Sequence, residues 1–359
     1  MATRPTPYHV VFQGGFSGYN NPGGRVYYVA ASGYTAVDGK GASDSNSGTS
    51  PQQPFATVQA GLDACTAGRG DVVSVLPGTY TVTAAITMTK ADVTLMSAYP
   101  VGPLEYSPVI ITAAATYDAN VIQIDANNVR VMGIGFECGF TTVTANQEVV
   151  QVNSTNTTTD VFGVLIENCF FDMTRAAGAA SAADTDLDCI RLGLDANDAA
   201  INAIIRGCTI RGYDQDGISV SVGSSGYRII GNEIYDGVGS DLGRMGVSLL
   251  AVDGRVEGNF IMAGTSSSTA GPISVGVAAA QARIHNNRLV AFGADTIGIT
   301  AIATATMFTS GNFINALAAG NIVDFTTSAT TPSSSIDWGN VTNTDPAAPA
   351  LVTATVDGL

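Results

Sequence analysis

The sequence contains few charged residues and almost no lysine. Charged residues make up 13% of its 359 positions, against about 25% in a typical soluble domain. Lys40 and Lys90 are the only lysines, and the formal net charge is −15. A phosphate-binding surface needs clustered Lys and Arg, and no such cluster is apparent along the chain. We therefore expect neither nucleic acid nor an anionic membrane surface as a partner.

Paired cysteines and long apolar segments are also missing. The five cysteines are odd in number and form no Cys-x-x-Cys pair, so buried, reduced thiols explain them better than disulfides or a metal. No apolar run approaches the length of a membrane span. The first residues lack the apolar core of a signal peptide. These absences predict a protein that is made in the host cytoplasm without a signal peptide and does not insert into a membrane.

Signatures of nucleophilic, nucleotide and metal chemistry are absent as well. His9 and His285 have no Ser or Cys partner by motif, and no Gly-rich phosphate loop joins a strand to a helix. The run from Asp184 to Asp188 has an acid at every second position, but Cys189 occupies the place where an EF-hand loop needs Gly. A solvated loop explains that run better than calcium. We expect no cofactor and no metal.

What the sequence does contain is a repeat. From residue 121 onward, short β-branched strands alternate with segments in which a Gly-Asn, Asn-Asn, Asn-Cys or Gly-Cys pair precedes an apolar residue. A near-constant period of this size is typical of stacked units, here the coils of a parallel β-helix with an internal Asn ladder. A β-sandwich is the alternative, but hairpin turn pairs are scarce. The second members of the pairs are 39, 24, 27, 28 and 25 residues apart: Cys169, Cys208, Asn232, Asn259, Asn287 and Asn312.

The chain divides into three parts. Residues 1–25 are rich in Gly, Pro and Asn and are expected to form an arm. Residues 26–326 are expected to form the β-helix, with a capping helix near 55–65, where apolar residues recur at helical spacing. Residues 327–359 break the pattern and are expected to form a cap or tail. The predicted fold class is all-β: a right-handed single-stranded parallel β-helix whose sheet ends need covers.

The segment that leads into the first coil resembles the opening of pectin-lyase-like right-handed parallel β-helix proteins. It contains a strand, a Gly/Ser-rich loop, the capping helix and a Pro-Gly-Thr-Tyr turn. The resemblance covers most of residues 26–325 and implies the fold. It implies no single activity, because the superfamily includes polysaccharide lyases, glycoside hydrolases, bacteriophage tailspikes and other virion proteins. The resemblance rests on Tyr28, Gly48, Thr49, Pro54, Phe55, Gln59, Ala60, Pro77, Gly78 and Tyr80.

Four aspartates are the candidates for catalysis. Asp214 and Asp216 are two positions apart, which places them on one face of an extended segment, and Asp236 and Asp241 belong to the next coil. Polygalacturonase-like members of the superfamily use aspartates in a comparable coil. This sequence lacks their Gly-His-Gly and Arg-Ile-Lys companions, and an Asp-Gly pair also simply makes a turn. We commit to no catalytic residue.

Two classes of function remain. The first is a bacteriophage virion structural protein, a capsid decoration or tail-associated protein that docks through its terminal arms. Its partners would be capsid or tail proteins, and the resemblance suggests a homotrimer. The second is a tailspike-type enzyme, a glycoside hydrolase or lyase that degrades a cell-surface polysaccharide. A carbohydrate-binding module is a third alternative. The first class, located in the virion, accounts best for the missing catalytic signatures.

Overall fold

The computed structural model describes most of the repetitive body and parts of both ends. Nothing is said below of the other residues. The described residues are 23–35, 41–99, 107–113, 117, 119–138, 148–153, 159–173, 188–213, 215–235, 245–263, 272–276, 280–291, 299–302, 306–316, 323–326, 336–338, 341–343, 350–351 and 355–356.

The fold is a solenoid with three long sheets that run its length, which we call the first, second and third sheets. The first sheet has twelve strands, the second nine and the third eleven, and a two-stranded sheet lies at one corner. Within each long sheet, neighbouring strands are parallel, apart from the last pair in the first and third sheets. This confirms the parallel β-helix that the repeat predicts.

The strands of the first sheet are Val26–Val29, Val72–Val75, Thr94–Ser97, Arg130–Met132, Leu165–Glu167, Ile204–Arg206, Arg228–Ile230, Arg255–Glu257, Ala280–His285, Thr306–Ser310, Ile336–Trp338 and Thr355–Val356. Those of the second are Ile86–Met88, Ile122–Ile124, Val150–Val152, Ile190–Leu192, Asp216–Val220, Met245–Leu249, Ile273–Val275, Ile299–Ile302 and Val323–Thr326. Those of the third are Gly78–Val82, Val109–Ala113, Gly135–Glu137, Phe170–Asp172, Thr209–Arg211, Glu233–Tyr235, Phe260–Ala263, Arg288–Ala291, Phe313–Ala316, Val341–Asn343 and Ala350–Leu351. The corner sheet pairs Val161–Phe162 with Ala200–Ile201.

Each coil visits the second, first and third sheets in that order. One coil, for example, runs through Ile190–Leu192, Ile204–Arg206 and Thr209–Arg211 before it returns to the second sheet at Asp216–Val220. Because the strands pair in register, side chains stack in columns along the solenoid. The inward column of the first sheet includes Val131, Ile166, Ile205, Ile229 and Val256, all fully buried. Burial of each such side chain contributes about 1.5–3 kcal/mol.

The predicted Asn ladder is present. The backbone N–H of Asn232, Asn259 and Asn287 each donates to the side-chain oxygen of the ladder residue one coil further on, at 2.9–3.0 Å. Each ladder amide also donates to a carbonyl oxygen of the preceding coil, as Asn312 does to Ile284 at 2.9 Å. The ladder extends to Cys208, whose N–H donates to Asn232 at 2.9 Å. These bonds satisfy polar groups that the corner buries.

The residue before the ladder position provides the backbone turn. Gly231, Gly258, Asn286 and Gly311 have φ between +57° and +64°, a region that Gly and Asn enter most readily. The Asn residues of the ladder itself are not among the positive-φ residues. The sequence-based idea that the ladder Asn adopts positive φ is therefore wrong. The first member of each pair makes the turn, and the second makes the hydrogen bonds.

A single helix, Val58–Ala64, covers the amino-terminal end of the solenoid, within the predicted 55–65. The Thr57 hydroxyl caps it by accepting from the N–H of Ala60 at 3.2 Å. Gly61 lets the helix approach closely, because a Cβ there would lie 2.8–2.9 Å from Val29 and Val73.

At the other end, parallel pairing continues past residue 326. Ile336–Trp338 pairs with Thr306–Ser310, and Val341–Asn343 pairs with Phe313–Ala316, both in parallel. The last two strands then pair antiparallel. One further coil and a change of strand direction thus lie in the segment predicted to be a cap or tail. No helix among the described residues is long and apolar enough to cross a membrane.

The five cysteines are free and buried, as predicted: Cys65, Cys138, Cys169, Cys189 and Cys208. Burial raises the pKa of Cys65 and of Cys138 to about 12. The expectation that basic residues are not clustered is wrong for one part of the surface. Arg228, Arg255 and Arg283, which are 27 and 28 residues apart in sequence, are stacked as register partners on the first sheet.

Candidate functional site

Of the four candidate aspartates, Asp216 is the one among the described residues. Asp214, Asp236 and Asp241 lie outside them, so the pairing predicted for Asp214 and Asp216 cannot be placed. Asp216 begins the strand Asp216–Val220 of the second sheet. Its side chain is 4% exposed, so it lies within the scaffold and not on the open surface that a polymer would contact.

Asp216 belongs to a column of polar residues at the start of the second sheet. Two positions ahead of the register partners Ile122, Val150, Ile190 and Ile218, the chain places Asn120, Glu148, Asp188 and Asp216. Backbone bonds join these positions: Val121 N–H donates to the Glu148 carbonyl oxygen at 3.1 Å, and Cys189 N–H donates to that of Asp216 at 3.0 Å. We call Glu148, Asp188 and Asp216 the carboxylate column. All three are at most 5% exposed.

The residue that counters this charge is Arg191, on the same strand as Ile190. Its guanidinium donates to Oε1 of Glu148 at 3.1 Å, to the hydroxyl of Ser221 at 3.3 Å and to the carbonyl oxygen of Leu194 at 3.2 Å. Glu148 is almost fully buried, and Arg191 is about one-fifth exposed. Three carboxyl groups thus lie in neighbouring coils with one guanidinium beside them.

Amides complete the upper end of the column. Asn120 Nδ2 donates to Oε1 of Gln151 at 2.6 Å, and Asn120 Oδ1 accepts from the backbone N–H of Glu148 at 2.9 Å. Within the part of the chain that the structure describes, Gln151 Nε2 and Asp188 Oδ1 have no hydrogen-bond partner. A buried polar atom without a partner costs about 1–3 kcal/mol.

The electrostatics of the column set Asp188 apart. Burial raises the pKa of Asp188 well above its usual value, and the negative charges of Asp216 and Glu148 raise it further. Arg191 and a hydrogen bond from Ser219 act in the opposite direction but do not cancel these effects. A carboxyl group in this state can hold a proton while its neighbours remain ionised. The column is therefore able, in chemical terms, to store or donate one proton.

Comparisons with known proteins agree with this architecture. Pectate lyase Pel9A aligns with a TM-score of 0.50 at 13% identity, over 88% of this chain and 79% of the lyase. The chain has the pectin-lyase-like right-handed parallel β-helix fold. At such low identity, the likeness establishes the fold alone. No protein-family model and no curated protein sequence matches the chain.

Two further β-helix structures align less closely. ORF18 of Geobacillus virus E2 has a TM-score of 0.46 at 12% identity, over 80% of this chain and 59% of the viral protein. The A-module of the Azotobacter vinelandii mannuronan C-5 epimerase AlgE6 has a TM-score of 0.43 at 14% identity, over 79% of this chain and 88% of the module. This chain therefore spans less than two thirds of the viral protein's length.

The remaining candidates of the β-helix are accounted for as follows. His285 lies on the first sheet, with Nδ1 3.6 Å from Oε1 of Glu257, and His9 lies outside the described residues. In the run considered for calcium, residues 184–187 also lie outside them, and Asp188 belongs to the carboxylate column. Among the described residues, no group of three or more His, Cys, Asp or Glu is placed to hold a metal ion.

The sequence-based reading missed Glu148, Asp188 and Arg191. A signal for the column was available, because an acid stands two positions before the first core residue in Glu-Val-Val150, Asp-Cys-Ile190 and Asp-Gly-Ile218. The acids are 40 and 28 residues apart, so they do not follow the spacing of the Asn ladder. The unequal spacing hid the column in the sequence.

Proposed function

We propose that this chain is a structural protein of a bacteriophage particle, a capsid decoration or tail-associated protein, with the solenoid as its rigid body and the terminal arms as its docking elements. The observation that carries the proposal is the burial of the carboxylate column. Hydrolysis of a glycosidic bond requires an acid and a base or nucleophile that reach the substrate. Here Glu148 and Asp216 are 1% and 4% exposed, so the column serves the scaffold.

The rigidity of the body supports the same proposal. Parallel pairing runs through the whole first sheet, from Val26–Val29 to Ile336–Trp338, and the Asn ladder ties successive coils together at one corner. In such a solenoid each coil contacts only its neighbours, so length adds without a change of shape. A protein that must present two ends at a fixed separation on a large assembly benefits from this property.

The test is the location of the chain in purified particles of the phage that encodes it. Quantitative mass spectrometry should detect the full chain in the particle fraction, in a fixed ratio to the major structural proteins. A variant that lacks residues 1–25 should unfold at the same temperature but be absent from particles. Recovery of the full chain only from the soluble lysate would refute the proposal. Equal incorporation of the shortened chain would show that the amino-terminal arm does not dock.

A second candidate function is cleavage of a polysaccharide, and one observation favours it. The raised pKa of Asp188 next to the acidic Asp216 is the kind of contrast that assigns a proton donor and a base. In this case the chain would release reducing ends or unsaturated products from a bacterial surface polysaccharide. An Asp188→Asn variant that stays folded would lose that activity, whereas Asp63→Asn, at an exposed position of the capping helix, would keep it.

A further inference from the structure

We propose that copies of this chain associate through the outer face of the first sheet, where three arginines form a column without counter-ions. Arg228 pairs in register with Arg255, and Arg255 with Arg283. All three are exposed, while the following residues, Ile229 and Val256, are fully buried. The guanidinium groups therefore project outward from three successive coils. We call these residues the arginine column.

The column is electrostatically unfavourable by itself. Neighbouring strands are about 4.8 Å apart, and like charges directly opposite one another on adjacent strands destabilise a sheet. Within the described part of the chain, none of the three side chains forms an ion pair or a hydrogen bond. In contrast, Arg206 pairs with Glu167 at 2.8 Å and Arg211 with Asp172 at 2.9 Å. The charge of the column is thus available to an acidic partner.

Exposed apolar residues lie beside the column. Val252 stands three positions before Arg255, in a corner row that continues through Ser225 to Ile201 and Phe162. Phe162 is 45% exposed and Val252 38%. Phe308, the register partner of Arg283 in the next coil, is 39% exposed. Apolar surface next to charge is the composition of a protein–protein contact, in which the apolar part contributes affinity and the charges fix the register.

The partner that fits this surface is a second copy of the chain. The sequence has 30 acidic residues against 15 Lys and Arg, so any additional copy brings a surface rich in carboxylates. Two such copies repel each other on average, and the arginine column is a place where that repulsion changes to attraction. The inference does not depend on a role in the virion, because it concerns only the charge and exposure of the body.

The same charges fix the kind of symmetry. A two-fold contact centred on the column would set the three arginines of one copy against those of the other. The column must instead face a different, acidic surface of its neighbour. Such a contact is heterologous, and it produces a ring when the rotation closes.

Sedimentation velocity of the full chain, as a function of protein concentration at low and high sodium chloride, tests the proposal. We expect an oligomer at low salt that dissociates at high salt. Arg255→Glu should weaken the association at least about tenfold. Arg288→Glu is the matched control, because Arg288 is also exposed but lies on the third sheet over the ring of Phe260. This control should associate like the wild type. Circular dichroism establishes that both variants are folded.

Three results would overturn the proposal: a wild-type chain that stays monomeric at every concentration, an unchanged association of Arg255→Glu, or equal weakening by both substitutions. The monomer is also titrated with polygalacturonate and with a single-stranded oligonucleotide. A monomeric wild type that binds either polymer through Arg255 would assign the column to that polymer, against self-association. Because no phage particle is involved, these results are separate from the test of the virion role.

Discussion

Nδ2 of Asn259 donates to Oδ1 of Asn287 on the next coil and to the carbonyl oxygen of Ile229 on the preceding coil, each at 2.9 Å. Its own Oδ1 accepts from the backbone N–H of Asn232 at 2.9 Å. One side chain thus connects three coils at a corner that water does not reach.

Replacement of Asn259 by Ala should lower the free energy of unfolding by about 3 kcal/mol, because it leaves buried backbone groups of Asn232 and Ile229 without partners. Chemical denaturation monitored by circular dichroism measures the loss. Asn197→Ala is the control, since Asn197 is exposed and should change stability by less than about 0.5 kcal/mol. Equal effects at the two positions would contradict the structural role of the ladder.

Two nearby glycines should respond differently to Ala. Gly258 has φ +64° and open space around the position of a Cβ, so Gly258→Ala should cost about 1–2 kcal/mol from backbone strain alone. At Gly254 a Cβ would overlap the buried ring of Tyr227, so Gly254→Ala should cost more, about 3 kcal/mol, as overpacking does. Thermal unfolding of both variants checks the order, and the reverse order would contradict the packing of Tyr227.

The ladder and the turn beside it differ in how far the sequence predicts them. The ladder positions follow from the spacing of Asn232, Asn259 and Asn287, because only one corner of each coil has so regular a length. The turn was assigned one residue too late, since Gly and Asn both tolerate positive φ and the pair alone does not say which member turns. Burial decides it, and burial is a property of the stacked coils.

The two charged columns were missed for different physical reasons. The arginine column follows the ladder spacing, and each of Arg228, Arg255 and Arg283 opens a repeat segment, so the sequence contained this signal. The carboxylate column does not, because segments of unequal length precede Glu148 and Asp188. The raised pKa of Asp188 depends on burial and on neighbours in adjacent coils, which no single repeat contains.

The pH dependence of stability should carry a contribution from Asp188. The folded-state pKa lies above that of the unfolded chain, so folding takes up a proton between the two values. The associated stability is complete below the unfolded value and declines as the pH rises through the folded value. Asp188→Asn should therefore be more stable than the wild type at neutral pH, with a smaller decline between acidic and neutral pH. Melting temperatures across this range measure the difference, with Asp63→Asn as the control.

Arg191 should matter more for stability than an exposed arginine in an ion pair. Arg191→Met leaves the nearly buried carboxylate of Glu148 without its guanidinium and should cost about 3 kcal/mol. Arg206→Met breaks the exposed pair with Glu167 and should cost less than about 1 kcal/mol. Addition of Glu148→Gln to Arg191→Met should recover part of the loss. A double variant less stable than Arg191→Met would contradict an electrostatic origin.

The central claim is that the carboxylate column belongs to the scaffold and does not perform catalysis. The most direct measurement is the release of reducing ends or unsaturated products from surface polysaccharides of the phage host, by the wild type and by Asp216→Asn, with the melting temperature of each recorded. The account predicts no release above a protein-free blank for either chain. Release by the wild type that Asp216→Asn abolishes, at an unchanged melting temperature, would contradict it.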